Sequence, residues 1–324
     1  MTHFKKFFLR SVWVAVFASM LVSCSKKEGR STLLHHWMQE SQELKILCTT
    51  AQIGDLVSEI GGSRIKTWVL IQGDLDPHSY ELVKGDDEKI LSADIVFYNG
   101  LNLEHGSSLS ALLRGSPTSV ALGDTIAKRF PEKILKRGSI VDPHLWMDIS
   151  VWQLTLGPIV ESLSSIDPEG ASYYQTQADL LDQKMESAHR EIREKLHQIP
   201  RDKRYLLTSH DAFRYFTRSY LADEGELHWQ NRFAAPEGLA PDGQLSPVDI
   251  QRMIDFLRAY RISVLFPESN VSRDSIQKIA SAGQELGLNI RVCREPLYGD
   301  SMSGLSYLEM MRKNGDVVAR YLNE

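Results

Sequence analysis

The sequence predicts an α/β protein made of two parallel-sheet lobes joined by one long, rigid helix. Three observations carry that expectation. Strand-like runs alternate with helix-like runs, the pattern of parallel sheets covered by helices. The alternation occurs twice, on either side of a single uninterrupted helical pattern. The chain of 324 residues is also longer than one ordinary domain of about 100–200 residues. Composition is that of a globular chain, 42% hydrophobic and 24% charged. A formal net charge of −5 with no basic block speaks against nucleic acid as a partner.

The first residues stand apart. Lys5, Lys6 and Arg10 precede a short apolar stretch, SVWVAVFASM. That stretch is too short to span a bilayer, which takes about 20 apolar residues, and it has the form of an export signal. Leu21-Val22-Ser23-Cys24 resembles a bacterial lipobox. Residues 1–23 are therefore read as a signal peptide and Cys24 as the lipid-bearing mature N-terminus. The alternative is ordinary cleavage nearby. Residues 24–43 are read as a tether, in which His35 and His36 are solvated. Cys48 and Cys293 each lie inside an apolar run, far apart and without CxxC spacing, so both are read as buried free thiols.

The first lobe is expected over residues 44–163. LKILCTT is its first strand, and a helix over residues 53–60 ends at Gly61-Gly62. RIKTWVLI and ADIVFYNG are the next strands and SVAL a weaker fourth. Helices over residues 83–92 and 103–114 fill the gaps. Residues 164–200 form the link. Tyr174, Ala178, Leu181, Met185, Ala188, Ile192, Leu196 and Ile199 recur every third or fourth position and mark one helix face. Pro168 and Pro200 bracket the pattern. A helix over residues 168–198 would run roughly 46 Å, long enough to act as a spine and not as a hinge.

The second lobe, residues 201–324, repeats the pattern. RYLLTS, ISVLFPE and NIRVC are its strands. Helices are expected over residues 210–220, 247–260, 272–286 and 306–322. Residues 222–246 are rich in Gly, Pro and Asp without periodicity, and are expected to be one long irregular loop, a place where function or mobility concentrates.

Four residues share a telling context. His78 lies in GDLDPHSYE directly after a strand, and His144 in DPHLWMD. His210 follows YLLTS, and Asp300 follows PLYG, each just past a strand. Ligands of open α/β sheets gather beyond the carboxyl ends of the strands, so two loops from each lobe are expected to meet in the cleft between lobes. Imidazole nitrogens and a carboxylate suit Zn²⁺, Mn²⁺ or iron, and four protein donors can enclose the ion. The proline before His78 and His144 fixes the backbone that presents the ring. Glu81, Asp142 and Asp148 are candidates to accept the second ring N–H. Taken singly, each histidine is also read as a cap or surface residue and Asp300 as the N-cap of a short turn. Their spacing matches no compact zinc motif. Glu224, Glu226 and His228 form either an accessory metal cluster or a solvated polar loop.

The ordered set DPHSYE, FYNGLNLE, DPHLWMD, TSHDAFRYF and LYGDS closely resembles the manganese/zinc/iron solute-binding proteins of ABC importers, the cluster A-I family. The resemblance runs from about Leu44 to the C-terminus. It implies two lobes joined by a long rigid helix, with His78, His144, His210 and Asp300 as the metal ligands. It also implies a monomeric, non-enzymatic receptor in the periplasmic or extracytoplasmic space, anchored through the Cys24 lipid. Such a receptor captures one divalent Zn, Mn or Fe ion and delivers it to an ABC permease driven by an ATPase. The sequence has no GxxxxGK[ST] and no membrane span beyond the signal, so permease and ATPase are separate proteins.

Three departures qualify the resemblance. RFPEKILKRGSIV, before the second Asp-Pro-His, contains no histidine, unlike the histidine-rich loop of many zinc-specific members. The third ligand is His210 where several manganese-binding relatives have Glu. Residues 222–246 make a longer loop than usual. Two other function classes remain: a metallohydrolase, which would keep an open position beside three protein ligands, and a surface adhesin using the long loop. Three neutral imidazoles and one carboxylate give a site charge of about −1, which favours a divalent ion.

Overall fold

The computed structural model describes residues 30–39, 41–241 and 245–324. The signal segment and Cys24 lie outside the described residues. Two compact units divide at residue 40. The first contributes helix α1 (Arg30–Met38) within the expected tether. Everything that follows concerns the second.

Its first sheet is fully parallel. It contains β1 (Leu44–Cys48), β2 (Ile65–Val69), β3 (Ile95–Tyr98) and β4 (Ser119–Ala121), in the order β2-β1-β3-β4. Helices α2 (Ala51–Gly61), α3 (Asp86–Leu91), α4 (Ser107–Gly115) and α5 (Leu122–Arg129) alternate with the strands. Ile46, Leu47 and Cys48, then Ile95, Val96 and Phe97, are buried without alternation, as strands covered on both faces require. Both thiols, Cys48 and Cys293, are free and buried.

Two helices start later than the sequence suggests, and side-chain carboxylates are the reason. The Asp86 carboxylate accepts bonds from Val83 N–H, Tyr80 O–H and Lys89, which holds residues 83–85 in a turn. Buried Glu104 accepts from Asn99 and Gly100 N–H and from the Thr49 hydroxyl, and Leu101 and Asn102 take left-handed φ of 51° and 62°. The chain is therefore a turn where residues 103–106 were expected to be helical.

A short hairpin, β5 (Lys136–Arg137) with β6 (Ile140–Val141), and helices α6 (Ile149–Trp152) and α7 (Leu156–Ile166) lead to the link. The expected helix over residues 168–198 loses its first turn to a tighter Pro168–Gly170 turn capped by Asp167. The regular helix, α8 (Ala171–His197), has 27 residues, about 40 Å. All eight residues of the apolar face read from the sequence are buried. α8 packs on α2 and α7 of the first lobe and on the last helix of the second.

In the second lobe β7 (Leu206–Leu207) pairs with β8 (Phe233–Ala234), and β9 (Val264–Leu265) with β10 (Arg291–Val292), all parallel. A parallel bridge between Thr208 and Phe266 joins the pairs. The resulting order, β8-β7-β9-β10, repeats that of the first sheet. The other elements are α9 (Arg214–Phe216), α10 (Pro247–Ala259), α11 (Asp274–Glu285) and α12 (Tyr307–Asn323).

Two expectations are corrected here. Residues 210–220 are not one helix: residues 210–213 are irregular, α9 is a single turn, and Thr217–Leu221 is a π-helical turn. The leading backbone groups are engaged elsewhere, His210 N–H with Glu268, His210 C=O with the Thr208 hydroxyl and Asp211 N–H with Gly238 C=O. Residues 222–246 are not wholly irregular, since they contain a short turn at Trp229–Arg232 and strand β8. Two strand residues are too few to show an alternation in sequence. No helix among the described residues is long and apolar enough to cross a membrane.

Candidate metal centre

Each of the four predicted residues sits on a loop beyond the carboxyl end of a strand, His78 after β2, His144 after β6, His210 after β7 and Asp300 after β10. The two Asp-Pro-His motifs use one local device. Asp76 Oδ1 accepts the His78 backbone N–H at 2.9 Å, and Asp142 Oδ1 accepts that of His144 at 3.0 Å. Each aspartate closes a turn onto the residue two positions on, while the intervening proline fixes φ. The motif thus presents the imidazole with both flanks restrained.

The structure brings the four side chains together. One donor atom from each of His78, His144, His210 and Asp300 lies within 4.8 Å of all the others, and all four residues are buried. His78 Nε2 is 3.2 Å from His144 Nε2. His210 Nε2 is 3.2 Å from Asp300 Oδ2, and His144 Nε2 is 3.5 Å from Asp300 Oδ1. Three ring nitrogens and a carboxylate therefore converge on one point in the cleft.

What stands behind the rings fixes their direction. Asp142 Oδ1 lies 2.8 Å from His144 Nδ1. Glu268 Oε2 lies 2.7 Å from His210 Nδ1, and its Oε1 accepts the His210 backbone N–H at 2.8 Å. A carboxylate on Nδ1 leaves the Nε2 lone pair for a ligand and makes it more basic. Of the three residues expected in this role, only Asp142 fills it. Glu81 accepts the Ser107 and Ser108 N–H groups at the start of α4, and Asp148 caps α6 through Ser150 N–H. Glu268 was missed. Its signal was present, because ISVLFPE places a carboxylate just past a strand end, where the other site residues lie.

Electrostatics divide the histidines. Burial pushes His78 down to about 3, with Asp300 opposing and the neighbouring rings reinforcing the shift. Burial would also lower His210, but the Glu268 and Asp300 carboxylates on its two nitrogens hold it well above the ordinary histidine value. Asp300 is the converse: burial would raise it, and His210 holds it well below the usual carboxylate range. His210 Nε2 and Asp300 Oδ1 are nevertheless buried without a hydrogen bond of good geometry. Buried polar atoms are ordinarily satisfied, and donors left over around one point suit a cation. The Glu224, Glu226 and His228 group does not assemble in this way, because Glu226 is taken by Arg232 Nε at 2.8 Å and by Asp223 N–H. Among the described residues the four-donor cluster is the only such group.

Known proteins resemble this chain over most of its length. Residues 46–321 match the family described as zinc-uptake complex component A, periplasmic. The metal-binding protein YtgA of Chlamydia trachomatis is 35% identical over 300 residues, 92% of this chain and 90% of that protein. The manganese-binding lipoprotein MntA of Bacillus subtilis is 30% identical over 290 residues, 87% of this chain and 90% of that protein. The crystal structure of Fe(III)-bound YtgA superposes with a TM-score of 0.82 at 36% identity, covering 86% of this chain and 97% of that one. The periplasmic zinc-binding protein TroA from Treponema pallidum gives a TM-score of 0.78 at 26% identity, covering 87% and 99%. With residues 46–321 matched, this chain belongs to the zinc-uptake complex component A family of periplasmic metal-binding proteins.

Proposed function

We propose that this protein is the extracytoplasmic solute-binding component of an ABC importer, holding one transition-metal ion (Zn, Mn or Fe) with His78, His144, His210 and Asp300. The observation that carries the reading is the convergence of four buried donors from four strand-end loops. The names of its relatives, which bind iron, manganese or zinc, support it. The ion is cargo, handed to a permease whose ATPase powers uptake. Four protein donors leave no position for a reacting water, which favours a receptor over a metallohydrolase. The charge inferred from the sequence counted Asp300 alone. Asp142 and Glu268 add two buried carboxylates at the edge of the site, so the enclosure also suits an ion of higher charge.

In this reading residues 44–163 form the N-terminal lobe, 164–200 the linking helix and 201–324 the C-terminal lobe. The protein acts as a monomer, with residues 1–23 removed and a lipid on Cys24 holding it to a membrane. Lipoprotein relatives such as MntA support the anchor.

Thermal unfolding with and without Zn²⁺, Mn²⁺ or Fe²⁺ tests the ligand set. Metal at about 100 times its dissociation constant adds about 2.7 kcal/mol to the native state. Alanine at His78, His144, His210 or Asp300 is expected to abolish most of that gain, and wild-type shifts in any of the four would remove that residue from the set. Elemental analysis of protein purified from its native host identifies the metal. Mass spectrometry of the mature N-terminus decides whether Cys24 carries lipid.

A further inference from the structure

Of the four donors, His78 alone lines the cavity of about 660 Å³ at the mouth of the cleft, together with Asn102, His105, Arg137, Ile140 and Gly238. The side chains of His144, His210 and Asp300 have no exposed surface, against 2% for His78. An ion travelling between solvent and the four donors through this cavity meets His78 first. It also meets His105, which the four-donor reading does not use.

His105 is placed as a ligand would be. Its ring centroid is 5.7 Å from that of His78. The three rings that converge in the cleft are 5.2, 5.4 and 6.1 Å apart, so His105 stands from His78 at the spacing of rings that share one ion. Its Nδ1 lies 3.3 Å from the Asn102 carbonyl. An N–H donated there leaves Nε2 as the electron-pair donor, the arrangement usual for metal-bound histidine. The turn that carries it is specified at some cost. Leu101 and Asn102 adopt left-handed φ, and buried Glu104 accepts the Asn99 and Gly100 N–H groups beneath them. Backbone held in such conformations tends to cluster at ligand sites.

We propose that His105 and His78 form a transient two-histidine metal station at the mouth of the cleft, which takes the ion from solvent before the four buried donors enclose it. This rests on the reading of those four donors as the metal site. A hydrated transition-metal ion must shed several waters to be enclosed. Two imidazoles at the mouth replace some of them while the rest stay in place, so the exchange proceeds in smaller steps. The station lowers the barrier in both directions and leaves the two end states unaltered.

The test separates rates from equilibrium. Trp146, whose ring centroid is 5.3 Å from that of His144, serves as a fluorescent reporter near the site. Zn²⁺ loading by stopped flow and Zn²⁺ release into EDTA are measured for the wild type, His105→Ala and His105→Asn. Both variants are expected to load and release about tenfold more slowly, the effect of a barrier about 1.4 kcal/mol higher, with dissociation constants within about twofold of wild type. Unchanged rates in both variants would overturn the proposal. So would wild-type rates in His105→Asn alone, which would assign the effect to polarity instead of ligation. Weaker affinity with an unchanged loading rate would make His105 a ligand of the final state, which also overturns it. Failure of the underlying reading shows separately, as wild-type Zn²⁺ affinity in His144→Ala.

Discussion

Glu268→Gln is the most informative single change, because it removes one charge while keeping an oxygen that can accept the His210 backbone N–H. In the native protein Glu268 is buried, with Oε2 2.7 Å from His210 Nδ1. The charge has two opposed effects on metal affinity. It makes Nε2 a better donor, and loss of such an outer partner typically weakens metal binding 10–100-fold, about 1.4–2.7 kcal/mol. It also helps Asp300 to keep a proton on His210 in the metal-free protein, and that proton must leave when the ion arrives. Proton competition costs about 1.4 kcal/mol for each unit by which the His210 pKa exceeds the pH. The variant should therefore bind more weakly above the raised His210 pKa, with the difference shrinking as pH falls. Calorimetric titration with Zn²⁺ in two buffers of different ionisation enthalpy reads both quantities, and the variant should release fewer protons per ion near neutral pH. Equal affinity and equal proton release in the two proteins would refute the reasoning.

Two further predictions follow from the same site. In the metal-free protein the raised His210 pKa contributes stability that is present below about 6.5, the unfolded value, and is lost as pH rises through the folded value. Denaturant midpoints measured at pH 6.5 and 9 should fall, and should fall less in Glu268→Gln; an equal fall in both would remove Glu268 as the cause. Gly299→Ala would place a Cβ 2.6 Å from Glu268 Oε2 and 3.5 Å from His210 Cε1. The carboxylate must then shift off the ring, so a competition assay against a chelator should show affinity reduced by about tenfold, and an unchanged affinity would show that the position of Glu268 does not matter.

Legibility in the sequence followed physical cause. The apolar face of the spine was readable to the residue, though not its first turn, because one face must meet the protein and the other meets solvent along its length. Strands β1 and β3 of the first lobe were readable as apolar runs because they are buried on both faces. In the second lobe β7, β9 and β10 were readable through their apolar runs, although only two residues of each are regular, whereas β8, inside a segment rich in Gly and Pro, left no periodic trace. Helix starts were misplaced where Asp86 and Glu104 capture neighbouring backbone groups, a tertiary effect that propensity does not encode. The four strand-end residues were visible through their motifs, and Asp142 through its place beside His144. Glu268 shares that strand-end placement, but its pairing with His210 joins two strands distant in sequence and was not legible.

The spine also bears on how the ion leaves. Leu181, Met185, Ile192 and Leu196 are buried in α8, which packs on helices of both lobes. Exposing these four side chains would cost about 1.5–3 kcal/mol each, a total comparable with the whole stability of an ordinary domain, about 5–15 kcal/mol. Further ties cross the cleft beside the site. The Gly299 carbonyl accepts the Trp146 indole N–H, the Asp300 carbonyl accepts from Gln52, and the Ser301 hydroxyl donates to Asp74. A wide swing of the lobes would break all of these and uncover the spine as well. Release is therefore expected to come from rearrangement of the strand-end loops, with the lobes tilting only slightly. Small-angle scattering of metal-free and metal-loaded protein should give nearly superimposable profiles. A clear drop in the radius of gyration on loading would mean that the lobes close by large rotation and that the buried face of α8 does not limit them.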